Sequence, residues 1–196
     1  MDPKKWDNIG NEDDENDKRE CIRELLAMKA AADEIFDSSG GSRGTCSCDQ
    51  YAHYLDLYLR VLNTSSKLNT FPNSHDLQVS CELNCACCYM MMKNWDGCIE
   101  TCEAMITRCP SELNSTQLIR CHYFRSYAYL HKNSGSTDRE RAFESSSVIQ
   151  DTIKSLSTPL CAEDIAEYSI LHERTRSFRE KDILSSHKCV RLMLLC

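Results

Sequence analysis

Glycine and proline are scarce in this 196-residue chain, at six and four, so it lacks the punctuation of a many-turned β fold. Alternating apolar runs are poor too, while Leu, Ala, Glu and Lys recur between breaks, which predicts an all-α protein. No apolar run approaches the roughly 20 residues of a membrane span. The first residues are charged where a signal peptide would be apolar, so a reducing, cytoplasmic location is expected. Basic charge is short as well: 23 Lys and Arg face 30 Asp and Glu, for a net charge of −7. That balance disfavours a nucleic-acid partner. There is no Gly-rich phosphate loop, no HExxH and no GxSxG. The histidines (His53, His75, His122, His131, His172 and His187) are scattered. No catalytic residue, metal ligand or cofactor is assigned, and the chain is expected not to be an enzyme.

Cysteine is abundant, at 14. Cys85, Cys88, Cys98, Cys102 and Cys121 fall at core-like places in helical patterns, where a thiol acts as a small hydrophobe. Disulfides and metal binding are the alternatives. Cys46-Ser-Cys48 has only His53 near it in sequence, and Cys85-Ala-Cys87-Cys88 would spread its thiols around a helix. Neither has a second pair at zinc-finger spacing.

Residues 1–18 read as a solvated acidic tail, with Trp6 and Ile9 as apolar exceptions that a docking segment could use. From residue 19, Ile22, Leu25, Leu26, Lys29, Ala32, Ile35 and Phe36 keep helical spacing until SSGGSRG at 38–44 breaks it. A helix over 49–63 follows, with Asp49 as N-cap and a stripe of Tyr51, Tyr54, Tyr58 and Val61, with Leu55 and Leu62. After a polar linker, residues 77–110 read as two helices, 77–92 and 95–108, folded about Lys93–Asn94 and stopped by Pro110. Ala86 and Cys98 are the small residues expected where these helices approach; Tyr89 and Trp95 fill gaps. A third pair covers 117–131 and then, from a cap at Thr137 or Asp138, runs on to 156. A last helix over 162–181 carries Ile165, Tyr168, Ile170, Leu171 and Phe178 on one side and charge on the other, as a cap on the open end of a stack requires. Residues 183–196 are left unassigned.

The central pair resembles a tetratricopeptide repeat, a 34-residue helix–turn–helix unit. The carriers are Asn84, Ala86, Tyr89, Trp95, the Ala-like Cys98 and Pro110. The outer pairs match less closely: the first has a long inter-helix loop and Tyr54 at a small-residue place, and the third carries Ser126, Ala128 and Tyr129 in register but also a long loop. The resemblance implies three stacked repeats (19–63, 77–110 and 117–156), an α-solenoid with a capping helix, and a concave groove that takes a peptide.

Three-repeat domains of this family in Hsp90 and Hsp70 co-chaperones, and in large immunophilins, clamp a C-terminal peptide ending Glu-Glu-Val-Asp. Carried over by position, Lys29 matches the first clamp lysine and Asn84 the second-repeat asparagine. Arg120 stands where the third repeat supplies lysine. Asp33 and Phe124 depart, standing where the family has asparagine and arginine. Arg125, one residue further on, points about 100° away around the helix. The expectation is an adaptor with a partial clamp that binds an acidic C-terminal peptide weakly. The alternatives are a scaffold of the same fold with no working clamp, or a relative of the peptidyl-prolyl isomerases that kept only the repeat half.

Overall fold

The computed structural model describes residues 20, 22–34, 47–67, 74–108, 112–132, 134–156 and 160–193, with side chains as far as Ile183. Seven helices account for these stretches: α1 over 22–34, α2 Cys48–Lys67, α3 Ser74–Met91, α4 Trp95–Arg108, α5 Ser115–Lys132, α6 Ser136–Ser155 and α7 Ala162–Met193. Among the described residues there is no strand, so the all-α expectation holds.

Polar side chains set the starts of α2, α4 and α5. Ser47 Oγ accepts from the Gln50 amide at 3.3 Å while Gln50 Oε1 accepts from the Ser47 amide at 2.9 Å, a reciprocal capping box. Asp49 therefore lies inside the first turn of α2 rather than capping it. Asn114 and Gln117 make the same exchange at the head of α5, both bonds 2.9 Å. Asn94 Oδ1 takes the Gly97 amide at 3.1 Å and starts α4. Just before it, Lys93 turns the chain in the left-handed region at φ 60°. The Asn94 amide closes the end of α3 on the Tyr89 carbonyl at 2.9 Å.

Two boundaries differ from expectation. α6 starts at Ser136, ahead of the expected Thr137 or Asp138 cap; Gly135 holds the cap position, and the Asp138 carboxylate reaches back to the Ser134 amide at 3.2 Å. α7 does not stop near residue 181 but runs to Met193, through most of the unassigned tail. No Gly or Pro follows Pro159, so nothing in the sequence ends that helix.

The chain divides into two compact units, Met1–Cys88 and Tyr89–Cys196. In the first, Leu25 and Ala32 of α1 are buried, as are Tyr51, Tyr54, Tyr58 and Val61 of α2 and Val79, Leu83, Cys85 and Ala86 of α3. Leu26, expected in the α1 stripe, is 49% exposed. It lies one residue, about 100°, beyond Leu25, on the solvent side. Ile35 and Phe36 fall outside the described residues.

In the second unit each helix packs on the next, α4 on α5, α5 on α6 and α6 on α7, with α7 also reaching α5. This succession of neighbours is solenoid-like. Small side chains mark the crossings. Cys98 Sγ donates to the Phe124 carbonyl at 3.6 Å, Cys121 Sγ to the Cys102 carbonyl at 3.4 Å, and Ser126 Oγ to the Ala142 carbonyl at 2.8 Å. The α6–α7 interface is polar. Ser146 Oγ meets Thr175 Oγ1 at 2.8 Å and His172 Nδ1 at 3.0 Å. Arg139 grips Asp182 through two bonds of 2.5 and 2.8 Å, and Arg179 bonds Glu140 at 2.8 Å.

Two predictions follow the packing. At Gly97 an added Cβ would sit 2.9 Å from the Tyr89 ring. Gly97→Ala gains ~1 kcal/mol of helix propensity, but overpacking costs about 1–3 kcal/mol, so thermal unfolding should show a lower Tm; an unchanged or raised Tm would mean the ring gives way freely. The second concerns His122, buried in α5. Burial and then the neighbouring Arg125 charge push its pKa down to about 4, and Arg125 Nη2 lies 3.4 Å from His122 Nδ1, a contact suited to a neutral ring. The unfolded histidine takes its proton near pH 6.5, before the folded one does. This contribution is therefore complete above that pH and is lost as pH falls toward 4, by up to ~3 kcal/mol. In urea melts, the wild-type advantage over His122→Gln should shrink across that window.

Candidate functional site

The clearest polar constellation gathers on α1, α2 and α3 of the first unit. Asp33 stands one turn beyond Lys29 on α1, and its Oδ2 takes the Lys29 ammonium. Its Oδ1 accepts from the Tyr58 hydroxyl at 2.8 Å and from Asn84 Nδ2 at 3.1 Å. One carboxylate thus ties three helices. Helical geometry supplies the Lys29–Asp33 step, since residues four apart share a face. The buried stripe of α2 supplies Tyr58, whose ring is core while its hydroxyl needs a partner.

The electrostatics agree with this arrangement. Burial, followed by the bond to and charge of Asp33, pushes the Tyr58 hydroxyl far above the usual phenol range, so it stays a proton donor. Cys81 adjoins the cluster. Burial pushes its thiol up to about 12, partly opposed by the Lys29 charge. The site is not sealed: the Lys29 and Asp33 side chains keep 19% and 32% of their exposure.

Of the five residues singled out by position, Lys29, Asp33 and Asn84 come together here. A carboxylate does meet the lysine and the asparagine amide, but it is the chain's own. Asp33 itself supplies the acceptor for Lys29 and Asn84. Arg120 and Phe124 belong to the second unit. Phe124 is a core residue, 3% exposed, with the Arg120 guanidinium 5.9 Å over its ring. Arg125 is engaged with α6, where its Nε donates to Ser145 Oγ at 2.8 Å. Tyr58 is the member the sequence reading left in the hydrophobic stripe. The available signal was a buried phenol whose hydroxyl must be satisfied somewhere.

Cys81, Cys85, Cys87, Cys88, Cys98, Cys102 and Cys121 are free and buried, while Cys48 and Cys161 are exposed. Among the described residues no group of three His, Cys, Asp or Glu side chains is placed to hold a metal ion, and no helix is long and apolar enough to cross a membrane. No protein-family model matches the chain, and no curated protein sequence does either.

The network makes a quantitative prediction. Asp33→Ala leaves the Tyr58 hydroxyl and the Asn84 amide without their acceptor and should lower urea-measured stability by about 1–3 kcal/mol. Tyr58→Phe should cost ~1 kcal/mol, and the double variant should lose less than the sum of the two. Full additivity would show that Tyr58 and Asp33 do not interact.

Proposed function

We propose that this chain is a protein-interaction adaptor, a helical-repeat scaffold of tetratricopeptide type whose carboxylate-binding pair is held by its own Asp33. The observation that carries this is the triple engagement of Asp33 by Lys29, Tyr58 and Asn84. A peptide carboxylate offered to Lys29 and Asn84 has to displace a ligand that is already tethered, and a tethered group competes at high effective concentration. It must also approach a second negative charge. Docking of an Hsp90 or Hsp70 tail ending Glu-Glu-Val-Asp is therefore suppressed in the native chain, and its partners engage other helical surfaces.

Supporting this reading is the use of Cys81, Cys85, Cys87, Cys88, Cys98, Cys102 and Cys121 as buried packing residues of the helices. Supporting it over a working clamp is the loss of the third-repeat arginine place to buried Phe124.

A fluorescein-labelled peptide ending Glu-Glu-Val-Asp tests it by anisotropy. The wild-type chain should bind with Kd near 1 mM or weaker, at about −4 kcal/mol or less. Asp33→Asn, which removes the competing charge and keeps an oxygen for Tyr58, should gain at least about tenfold, and added salt should erode the gain. Micromolar binding by the wild type that Lys29→Ala removes would return the chain to the chaperone-docking class.

A further inference from the structure

The second unit carries a feature that the Asp33 site does not use. Five aromatic rings from three helices form an unbroken series. Trp95, at the head of α4, stacks on His131 at 5.4 Å and 26°. His131 lies 4.3 Å from Tyr127, Tyr127 lies 6.1 Å from Tyr123, and Tyr123 meets Tyr168 of α7 edge-on at 5.4 Å. The α5 members recur every four residues, so they climb one face of the helix. From Tyr123 to His131 that face is about 12 Å long, the span of about four extended residues. Trp95, Tyr123, Tyr127 and Tyr168 are only half-buried, and His131 is exposed. Core filling alone does not require rings to remain in contact with water on this scale.

Charge around the series is uneven. At the Trp95–His131 end stand Lys93, in the turn before α4, and Arg174 of α7. Both lie close enough to oppose protonation of His131, adding to the partial desolvation of its ring that lowers its pKa first. Neither cation is ion-paired among the described residues. Lys132 is engaged, bonded to Asp96. At the other end Glu167 takes the Tyr123 hydroxyl, Asp164 lies near Tyr168, and Arg120 offsets part of their charge. The cationic end is thus open while the acidic end is occupied or balanced, in a chain whose net charge is −7.

We infer that the Trp95–His131–Tyr127–Tyr123 face is a docking surface for an extended peptide that lays flat apolar side chains, aromatic or proline, along the rings and places carboxylates against Lys93 and Arg174. Aromatic faces accept such groups with little ordering cost because the rings are already stacked. The two cations set the polarity, since an acidic end docks beside His131 and is repelled beside Glu167. The inference shares with the adaptor reading only the premise that the chain works by binding another polypeptide. It uses neither Lys29 nor Asn84, and it requires no terminal carboxylate.

Tryptophan fluorescence tests it. The chain has two tryptophans, so Trp6→Phe leaves Trp95 as the sole reporter. The probe is acetyl-Phe-Pro-Phe-Glu-Asp-amide, whose capped ends cannot imitate a C-terminal carboxylate. A saturable change in Trp95 emission is expected. The charge-reversed probe acetyl-Phe-Pro-Phe-Lys-Lys-amide should bind at least about tenfold more weakly, as should the Lys93→Glu/Arg174→Glu variant with the original probe. Both substitutions are at exposed positions, and the variant's melting curve verifies that it folds. Lys29→Ala should bind the probe as the wild type does, which separates failure here from failure of the Asp33 reading. The inference is overturned if the probe gives no saturable change, if the Lys-Lys probe binds equally, or if the charge-reversed variant is unaffected. Tighter binding by a single-stranded oligouridine than by the peptide would assign the rings to base stacking and overturn it as well.

Discussion

Two helices joined by a three-residue turn can bury their facing stripes only if something small stands where their backbones cross. The second unit meets that demand at every step. Gly97 leaves room for the Tyr89 ring between the end of α3 and the start of α4. Cys98 and Cys102 bring α4 to within sulfur-to-carbonyl distance of α5. Ser126 and Ala142 do the same for α5 and α6. Once the backbones are that close, the larger residues Met105, Ile119, Phe124 and Ile149 fill what remains. The abundance of cysteine is then a packing matter. A thiol is smaller than valine, larger than alanine, and its hydrogen can reach a carbonyl of the neighbouring helix.

Polar contacts decide which helix meets which, and in what register. The α6–α7 interface buries Ser146 and Thr175 and is flanked by Arg139–Asp182 and Arg179–Glu140. Such an interface gains less from apolar burial than α4–α5, but a slip of one residue would break several bonds at once. In the first unit the same task falls to one carboxylate. Asp33 reads Tyr58 from α2 and Asn84 from α3, so α1 has one seat on its neighbours. Asp33 is thereby absorbed into architecture.

Much of this was legible in the chain. The α4 boundaries, the turn at Lys93–Asn94 and the all-α class followed from punctuation and period, which are local properties. The S-x-x-Q box at Ser47 and the N-x-x-Q box at Asn114 were equally local but lay outside the apolar stripes that were used to place α2 and α5. The end of α7 was missed because residues 183–196 were left unassigned, although they hold no Gly or Pro to end the helix. What could not be read was tertiary. Tyr58 lies 25 residues and Asn84 51 residues from Asp33, and no spacing rule joins them. Phe124 shows the converse case: its place in a repeat pattern suggested a groove position, yet an apolar side chain beside Cys98 turns inward.

The buried thiols have a consequence for how the molecule can be watched. Burial pushes Cys81 and Cys88 up to about 12 and raises Cys102 through its neighbouring thiols and its own burial. At neutral pH these sulfurs are held as thiols, and only the thiolate reacts. Alkylation must therefore wait until the surrounding helices part. The rate at which each sulfur is modified then becomes a local clock of opening, with Cys81, Cys85 and Cys88 timing the first unit and Cys98, Cys102 and Cys121 timing the second. A chain built this way carries its own map of cooperative units, readable by mass spectrometry one sulfur at a time.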